Sequence, residues 1–198
     1  MKTPLPEIDK IEVLYRPEEI QQAVQRAARN IAKRYLPILT EKTKNKEDFK
    51  LIFVAVLSGA NRYRTALANE VGRIFGEAGY FGYIEEDEIS VSSYPEGVNS
   101  KEIKFLLDTK RPIAGSFVVL VEDIIDQGNT ASWVKEMLLA KEPSSLELYV
   151  LIDKTPRRKK EIKPDHVSFR LDKDLFVVGF GLDVGGRFRE LPFIGYIS

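Results

Sequence analysis

The 198-residue chain has no cysteine and one histidine, His166. A disulfide framework, a thiolate nucleophile and a cysteine-held zinc are therefore excluded. His166 has no second histidine with which to share a metal, so it is expected to be a packing or surface residue. Net charge is also absent, since 30 Lys and Arg balance 30 Asp and Glu. A nucleic-acid surface would need a basic excess on one face, so nucleic acid is not an expected partner. The basic run Arg157-Arg158-Lys159-Lys160 has no interleaved aromatic and reads as a solvated loop. Long apolar runs are missing too. The longest, Leu51–Leu57, has seven residues, against the roughly 20 that span a bilayer. The opening residues, MKTPLPEIDKIEVL, place charges where a secretory signal needs an apolar stretch. The expectation is a cytoplasmic protein with no membrane partner, formed as one domain over residues 1–198.

What is present alternates. Pro17-Glu18-Glu19 reads as a helix start, with proline in the first turn and acids at the positive end. Ile20, Val24, Ala27, Ile31 and Leu36 follow at helical spacing, and the charged stretch Thr40–Asp48 reads as a connector. Leu51–Leu57 is a buried strand, Ser58–Asn61 a turn, and Tyr63–Phe75 a helix with Leu67, Val71 and Ile74 inward. Tyr80–Ser92 reads as a strand, despite the acids Glu85–Glu88 at its centre, and Tyr94–Ser100 as a loop. Strands at Ile103–Leu107 and Phe117–Val121, a helix at Trp133–Leu139 with Trp133 in the core, a strand at Leu146–Ile152 and short closing β runs complete the pattern. Such alternation implies an α/β fold with a largely parallel sheet and helices on both faces.

The most informative segment is FVVLVEDIIDQGNT, Phe117–Thr130. A β-branched apolar run ends in Glu122 and Asp123, and a third acid, Asp126, precedes Gly128-Asn129-Thr130 and an amphipathic stretch. Open α/β sheets bind ligands beyond the carboxyl ends of their strands. A Gly-containing turn into a helix offers backbone N–H groups to a phosphate. The carboxylates suit a sugar diol or a divalent cation held by oxygen.

VEDIIDQGNT resembles the phosphoribosyl pyrophosphate signature of type I phosphoribosyltransferases, in the form used by the hypoxanthine-guanine branch. LFVVGFGLDVGGRFRELPFIGYIS, Leu175–Ser198, resembles that family's C-terminal segment. The resemblance implies a twisted, largely parallel sheet flanked by helices, with a core at about 37–155 and a small hood from about 1–16 and 156–198. It implies transfer of a phosphoribosyl group from phosphoribosyl pyrophosphate to a 6-oxopurine with magnesium, in a homodimer or homotetramer. Asp126 would take the purine N7 proton. Gln127, Gly128, Asn129 and Thr130 would hold the 5′-phosphate. Glu122 and Asp123 would meet the ribose hydroxyls and the magnesium, with Asp183 a further metal contact beside the base. Lys163 would donate to the 6-oxo group, Phe176 stack on the base, and Val177 offer backbone groups to its edge. Arg189 would grip pyrophosphate, and Ser93-Tyr94 belong to a lid.

One position departs from the family. The loop after the first core strand, VLSGANRYR, has Ser58 before Gly59 where relatives carry lysine. Its backbone N–H groups remain available to pyrophosphate, and Arg62 or Arg64 is a candidate to restore the charge. By analogy a strained or cis Ser58–Gly59 peptide is considered. Two alternatives stay open on sequence alone: a non-catalytic nucleotide sensor of the same fold, and an enzyme preferring xanthine or a pyrimidine.

Overall fold

The computed structural model describes residues 11–46, 49–82, 84–93 and 103–197. In chain order the elements are β1 (Ile11–Tyr15), α1 (Pro17–Lys44), β2 (Leu51–Val56), α2 (Asn61–Glu77), β3 (Ile84–Ser93), β4 (Ile103–Leu107), β5 (Phe117–Ile125), α3 (Asn129–Leu139), β6 (Ser145–Lys154), β7 (His166–Leu171), β8 (Phe176–Val178) and β9 (Ile194–Ile197). A six-stranded sheet runs in the order β4-β3-β2-β5-β6-β7. Its neighbours are parallel except β4, which is antiparallel to β3.

Central strands buried on both faces need continuous apolar sequence rather than alternation. LIFVAV of β2 is buried at all its positions. Successive residues then point to opposite faces. Leu51, Phe53, Val119 and Leu151 pack against Ile31 and Tyr35 of α1 and Leu67 and Val71 of α2. Ile52, Val54, Val118 and Val150 pack against Val134 and Leu138 of α3. Trp133 is half-buried against this second cluster. On α2 the buried position in the last turn is Phe75, with Ile74 half-buried beside it.

Two boundaries differ from expectation. The stretch from Thr40 is not a connector, because α1 continues to Lys44. Leu39 is fully buried, and the hydroxyls of Thr40 and Thr43 bond back to the carbonyls of Leu36 and Leu39 at 2.7 and 2.8 Å. Polar residues on the outer face satisfy the helix there, so charge alone does not end it. Likewise β5 does not stop at Val121. Its ladder with β6 runs on to Ile125↔Asp153, which places the acids Glu122 and Asp123 inside the strand.

The acidic centre of β3 is ion-paired. Glu85 meets Lys50 and Arg111, Glu86 meets Arg64, and Glu88 meets Lys110. Buried Asp87 accepts from the backbone N–H groups of Glu88 and Lys110.

The N- and C-terminal segments join in a three-stranded antiparallel sheet, β1-β9-β8. It forms the small hood. β7, from the segment assigned to the hood, is instead the edge strand of the large sheet.

His166 opens β7, half-buried. Its ring stacks on Tyr149 at 5.2 Å, Nδ1 meets Asn30 Nδ2 at 3.3 Å, and buried Nε2 lacks a hydrogen-bond partner. Burial, with the nearby Arg26 charge, lowers its pKa below the usual imidazole value. A depressed folded-state pKa favours the neutral ring. The stability it brings is present above pH 6.5 and lost as pH falls through the lower folded value. His166→Phe keeps the stacking and removes the titration. Thermal melting is expected to fall less between pH 7 and pH 5 in the variant than in the parent; parallel curves would refute the assignment.

Candidate active site

The direction in which the chain steps across the parallel strands reverses between β2 and β5. From β2 it moves to β3, and from β5 to β6 and β7 on the other side. Carboxyl-end loops diverge at such a point and leave a crevice. A cavity of about 250 Å³ lies there, lined by Ser58, Gly59, Glu122, Asp123, Thr130, Asp183 and Arg189 among others. Seven residues singled out from the sequence, drawn from three separate stretches, therefore line one cavity.

The loop after β2 comes very close to its neighbours. A Cβ on Gly59 would lie 1.6 Å from Asp123 Oδ2, and one on Gly181 would lie 2.3 Å from the Gly59 carbonyl. Glycine at both positions lets the backbone of this loop pack against the acid and against the loop before β9. The cis peptide is Leu57–Ser58, not Ser58–Gly59. Ser58 itself is exposed.

Neither nearby arginine replaces the missing lysine in the cavity wall. Arg62 Nη1 donates to the carbonyls of Arg189 and Leu191 at 3.0 and 2.8 Å, and its guanidinium lies over the Phe180 ring. Arg64 turns to Glu86 and the Asp87 carbonyl. Arg189 supplies a positive charge to the wall, bonded to the Gly181 carbonyl and paired with Asp183 at 2.7 Å. Ser58→Lys is therefore expected to tighten pyrophosphate by about five- to thirty-fold, the effect of one charge-assisted contact. Product inhibition by pyrophosphate measures it, and an unchanged constant would place pyrophosphate elsewhere.

The acids differ in state. Glu122 is 6% exposed, and its Oε2 has no hydrogen-bond partner. Burial, reinforced by the charge of Asp123, pushes its pKa well above the ordinary carboxylate range. Burial also raises Asp123 to about 6, against the Ile124 N–H that bonds its Oδ1 at 2.8 Å. Desolvation disfavours the charged form of each, so a cation or ribose hydroxyls arriving beside them would be welcomed. Among the described residues no three acidic or imidazole groups converge into a preformed metal cage. Magnesium usually takes one or two carboxylates and draws its other ligands from water and substrate phosphates, and Glu122 and Asp123 are two carboxylates in this cavity wall.

Beyond Asp123 the chain turns. Gly128 adopts φ +87 and caps α3, and a Cβ there would lie 2.4 Å from the Lys160 carbonyl. Only glycine meets both demands. The first N–H groups of a helix have no partner within it, so the N-terminus of α3 presents free donors at Asn129 and Thr130. Asn129 Nδ2 also reaches the Gln127 side-chain oxygen at 3.5 Å.

Asp126 stands at the end of β5, outside the cavity lining, with Oδ1 buried and lacking a hydrogen-bond partner. Its Oδ2 lies 3.9 Å from Lys154 Nζ and 3.8 Å from Arg157. Lys154, the last residue of β6, has a side chain 7% exposed and also pairs with Asp174 at 2.6 Å. Sequence reading passed over Lys154. The signal for it was a charged residue at the carboxyl end of a buried strand, the same rule that picked out Glu122 and Asp123.

Lys163, singled out instead, is exposed on the β6–β7 connection and does not line the cavity. Phe176 is 54% exposed, and Val177 beside it is buried on β8, the edge of the small sheet. Ser93 ends β3, while Tyr94 lies outside the described residues.

Comparison with known proteins agrees with this geometry. The phosphoribosyl transferase domain family matches residues 17–184. Hypoxanthine phosphoribosyltransferase of Escherichia coli K12 is 34% identical over 188 residues, covering 94% of this chain and 95% of that protein. The bifunctional protein TilS/HprT of Listeria monocytogenes is 33% identical over 187 residues; the match takes in 94% of this chain but only 26% of that longer relative. A mutant hypoxanthine phosphoribosyltransferase of Trypanosoma cruzi, solved with the product IMP, superposes with a TM-score of 0.81 at 29% identity, covering 98% of this chain and 94% of that one. The chain belongs to the phosphoribosyltransferase family, in its hypoxanthine-guanine branch.

Proposed function

We propose that the protein transfers the 5-phosphoribosyl group of phosphoribosyl pyrophosphate to hypoxanthine or guanine, giving IMP or GMP and pyrophosphate. The observation that carries this reading is the cavity at the β2/β5 crevice. There the Ser58-Gly59 loop, the acids Glu122 and Asp123, and Arg189 line one cavity beside the Gly128 turn.

In the reaction the bond from C1′ to pyrophosphate breaks with its electron pair leaving on oxygen. The purine N9 forms the new bond to C1′, and the N7 proton passes to Asp126. Asp126, with a side chain 32% exposed at the end of β5, is the carboxylate that would accept it. Lys154, beside Asp126, is placed to donate to the 6-oxo group; it takes the role first given to Lys163. Phe176 would stack on the base, with the backbone of Val177 at its edge. The turn Asp126–Thr130 would hold the 5′-phosphate. The wall of Ser58, Gly59 and Arg189 would hold pyrophosphate. When bound, magnesium would neutralise charge on the leaving pyrophosphate, and Asp183, Asp123 and Glu122 are the carboxylates that would meet it. A homodimer or homotetramer in the cytoplasm is proposed from the family resemblance. Among the described residues no helix is long and apolar enough to cross a membrane.

Incubation with phosphoribosyl pyrophosphate, magnesium and single purines tests the reading. Nucleotide is expected from hypoxanthine and guanine and not from adenine, because a lysine can donate to a 6-oxo group but cannot accept from a 6-amino group. Failure to form nucleotide from any 6-oxopurine would refute it.

A further inference from the structure

The basic run Arg157–Lys160 reads as a solvated loop, yet it packs against the back of the glycine turn. Arg158 is only 19% exposed. Its Nε donates to the carbonyl of Asp126 at 3.0 Å, and its Nη2 to the carbonyls of Ile125 and Lys154 at 3.2 and 3.3 Å and to the carboxylate of Asp153. The next two residues continue the contact. The N–H groups of Lys159 and Lys160 both donate to the Gln127 carbonyl, at 3.0 and 2.9 Å. Three successive carbonyls, of Ile125, Asp126 and Gln127, are therefore held by one short segment.

A trans peptide unit is planar, with its C=O and the following N–H pointing in opposite directions. Fixing those three carbonyls fixes the N–H groups of Asp126, Gln127 and Gly128, which must point away from the clamp. Successive backbone N–H groups turned to one side make an anion-binding concavity. We infer that Arg158 is a positioning residue: it holds the turn from behind, so that the amides of Asp126, Gln127 and Gly128 stand ready for a phosphate monoester before any ligand arrives. This inference rests on the proposed assignment of the turn to the 5′-phosphate.

Arginine is required by the geometry. Its planar fork reaches two adjacent carbonyls and a carboxylate together, which the single ammonium of lysine cannot match. Asp153 is buried and is met from its other side by Arg170 at 3.4 Å, so it braces the fork. The same guanidinium touches the carbonyl of Asp126 and that of Lys154. It thereby fixes the spacing between the proton acceptor and the neighbouring ammonium.

The test separates the clamp from the enzyme activity. In ligand-free protein, Arg158→Met is expected to speed hydrogen exchange at the amides of Lys159 and Lys160, which bond the Gln127 carbonyl, by about 10-fold relative to the parent, with exchange in β2 unchanged. Affinity for IMP is expected to fall by about 10-fold, the loss of one charge-assisted network, while that for inosine, which lacks the phosphate, changes less than about 2-fold. Equal weakening of IMP and inosine, or unchanged exchange at Lys159 and Lys160, would overturn the inference. If the methionine variant does not fold, Arg158→Lys decides. It is expected to show the same IMP-only loss at smaller amplitude, and parental affinity for both ligands would overturn the role. A parent that binds neither IMP nor inosine would sink the proposed function. The clamp would still stand or fall on the exchange rates alone.

Discussion

Asp126→Asn is expected to lower turnover by about a hundred- to ten-thousand-fold, the usual range for loss of a general base, with phosphoribosyl pyrophosphate affinity changed less than about twofold. The asparagine has nearly the same shape and can still accept a hydrogen bond through its carbonyl oxygen. It cannot accept a proton at neutral pH. Oδ1 of Asp126 is buried and unpartnered, while Oδ2 faces two cations, Lys154 and Arg157, at 3.9 and 3.8 Å. The acid does not line the cavity assigned to the sugar pyrophosphate, so donor binding should be nearly indifferent to the change. Steady-state turnover with hypoxanthine and calorimetric binding of phosphoribosyl pyrophosphate give the two numbers. Near-parental turnover at pH 7.5 would remove Asp126 from the proton transfer. A large loss of donor affinity would make it a binding residue.

What the sequence revealed of this site was what is local. The order acid-acid, two isoleucines, acid, then Gly-Asn-Thr marks a turn and a helix start after a buried strand, and the structure has the turn and the helix start in place. Gly128 was legible as part of a turn leading into a helix, though its left-handed φ and the backbone of Lys160 that forbids any side chain there were not. The continuation of β5 through its acids was hidden. Carboxylates normally signal an exposed strand end, and only the ladder to β6, out to Asp153, shows that the strand persists. The fates of Arg62 and Arg64 were hidden for a similar reason. Both lie on the first turns of α2, and their partners are the carbonyls of Arg189 and Leu191 in one case and β3 in the other. Contacts across such separations in the chain depend on packing that periodicity does not encode. Arg158 was misjudged because a run of basic residues says nothing about what lies beneath it.

Lysine provides the sharpest case, and the second large effect. Two lysines in one stretch, Lys154 and Lys163, are chemically equivalent candidates to meet a 6-oxo group, and the family resemblance assigned Lys163. The proposed donor is instead Lys154. Lys154 ends β6 next to Asp126 with its side chain almost wholly buried, whereas Lys163 is exposed on the connection to β7. Lys154→Met keeps most of the stem and its packing and deletes the charged donor. A buried oxo group deprived of that donor costs about 1.5–3 kcal/mol, so kcat/KM for hypoxanthine is expected to fall by roughly ten- to 150-fold. Phosphoribosyl pyrophosphate affinity should hold, because Lys154 is absent from the cavity wall. Lys163→Met, in contrast, should leave both within about twofold, as most exposed substitutions do. The two variants measured side by side with hypoxanthine are decisive, since each serves as the other's control for the loss of one positive charge. Should Lys163→Met take the large loss and Lys154→Met the small one, the purine would lie against the β6–β7 connection. The pairing of Asp126 with Lys154 would then be structural, holding the carboxyl ends of β5 and β6 together beneath the phosphate turn.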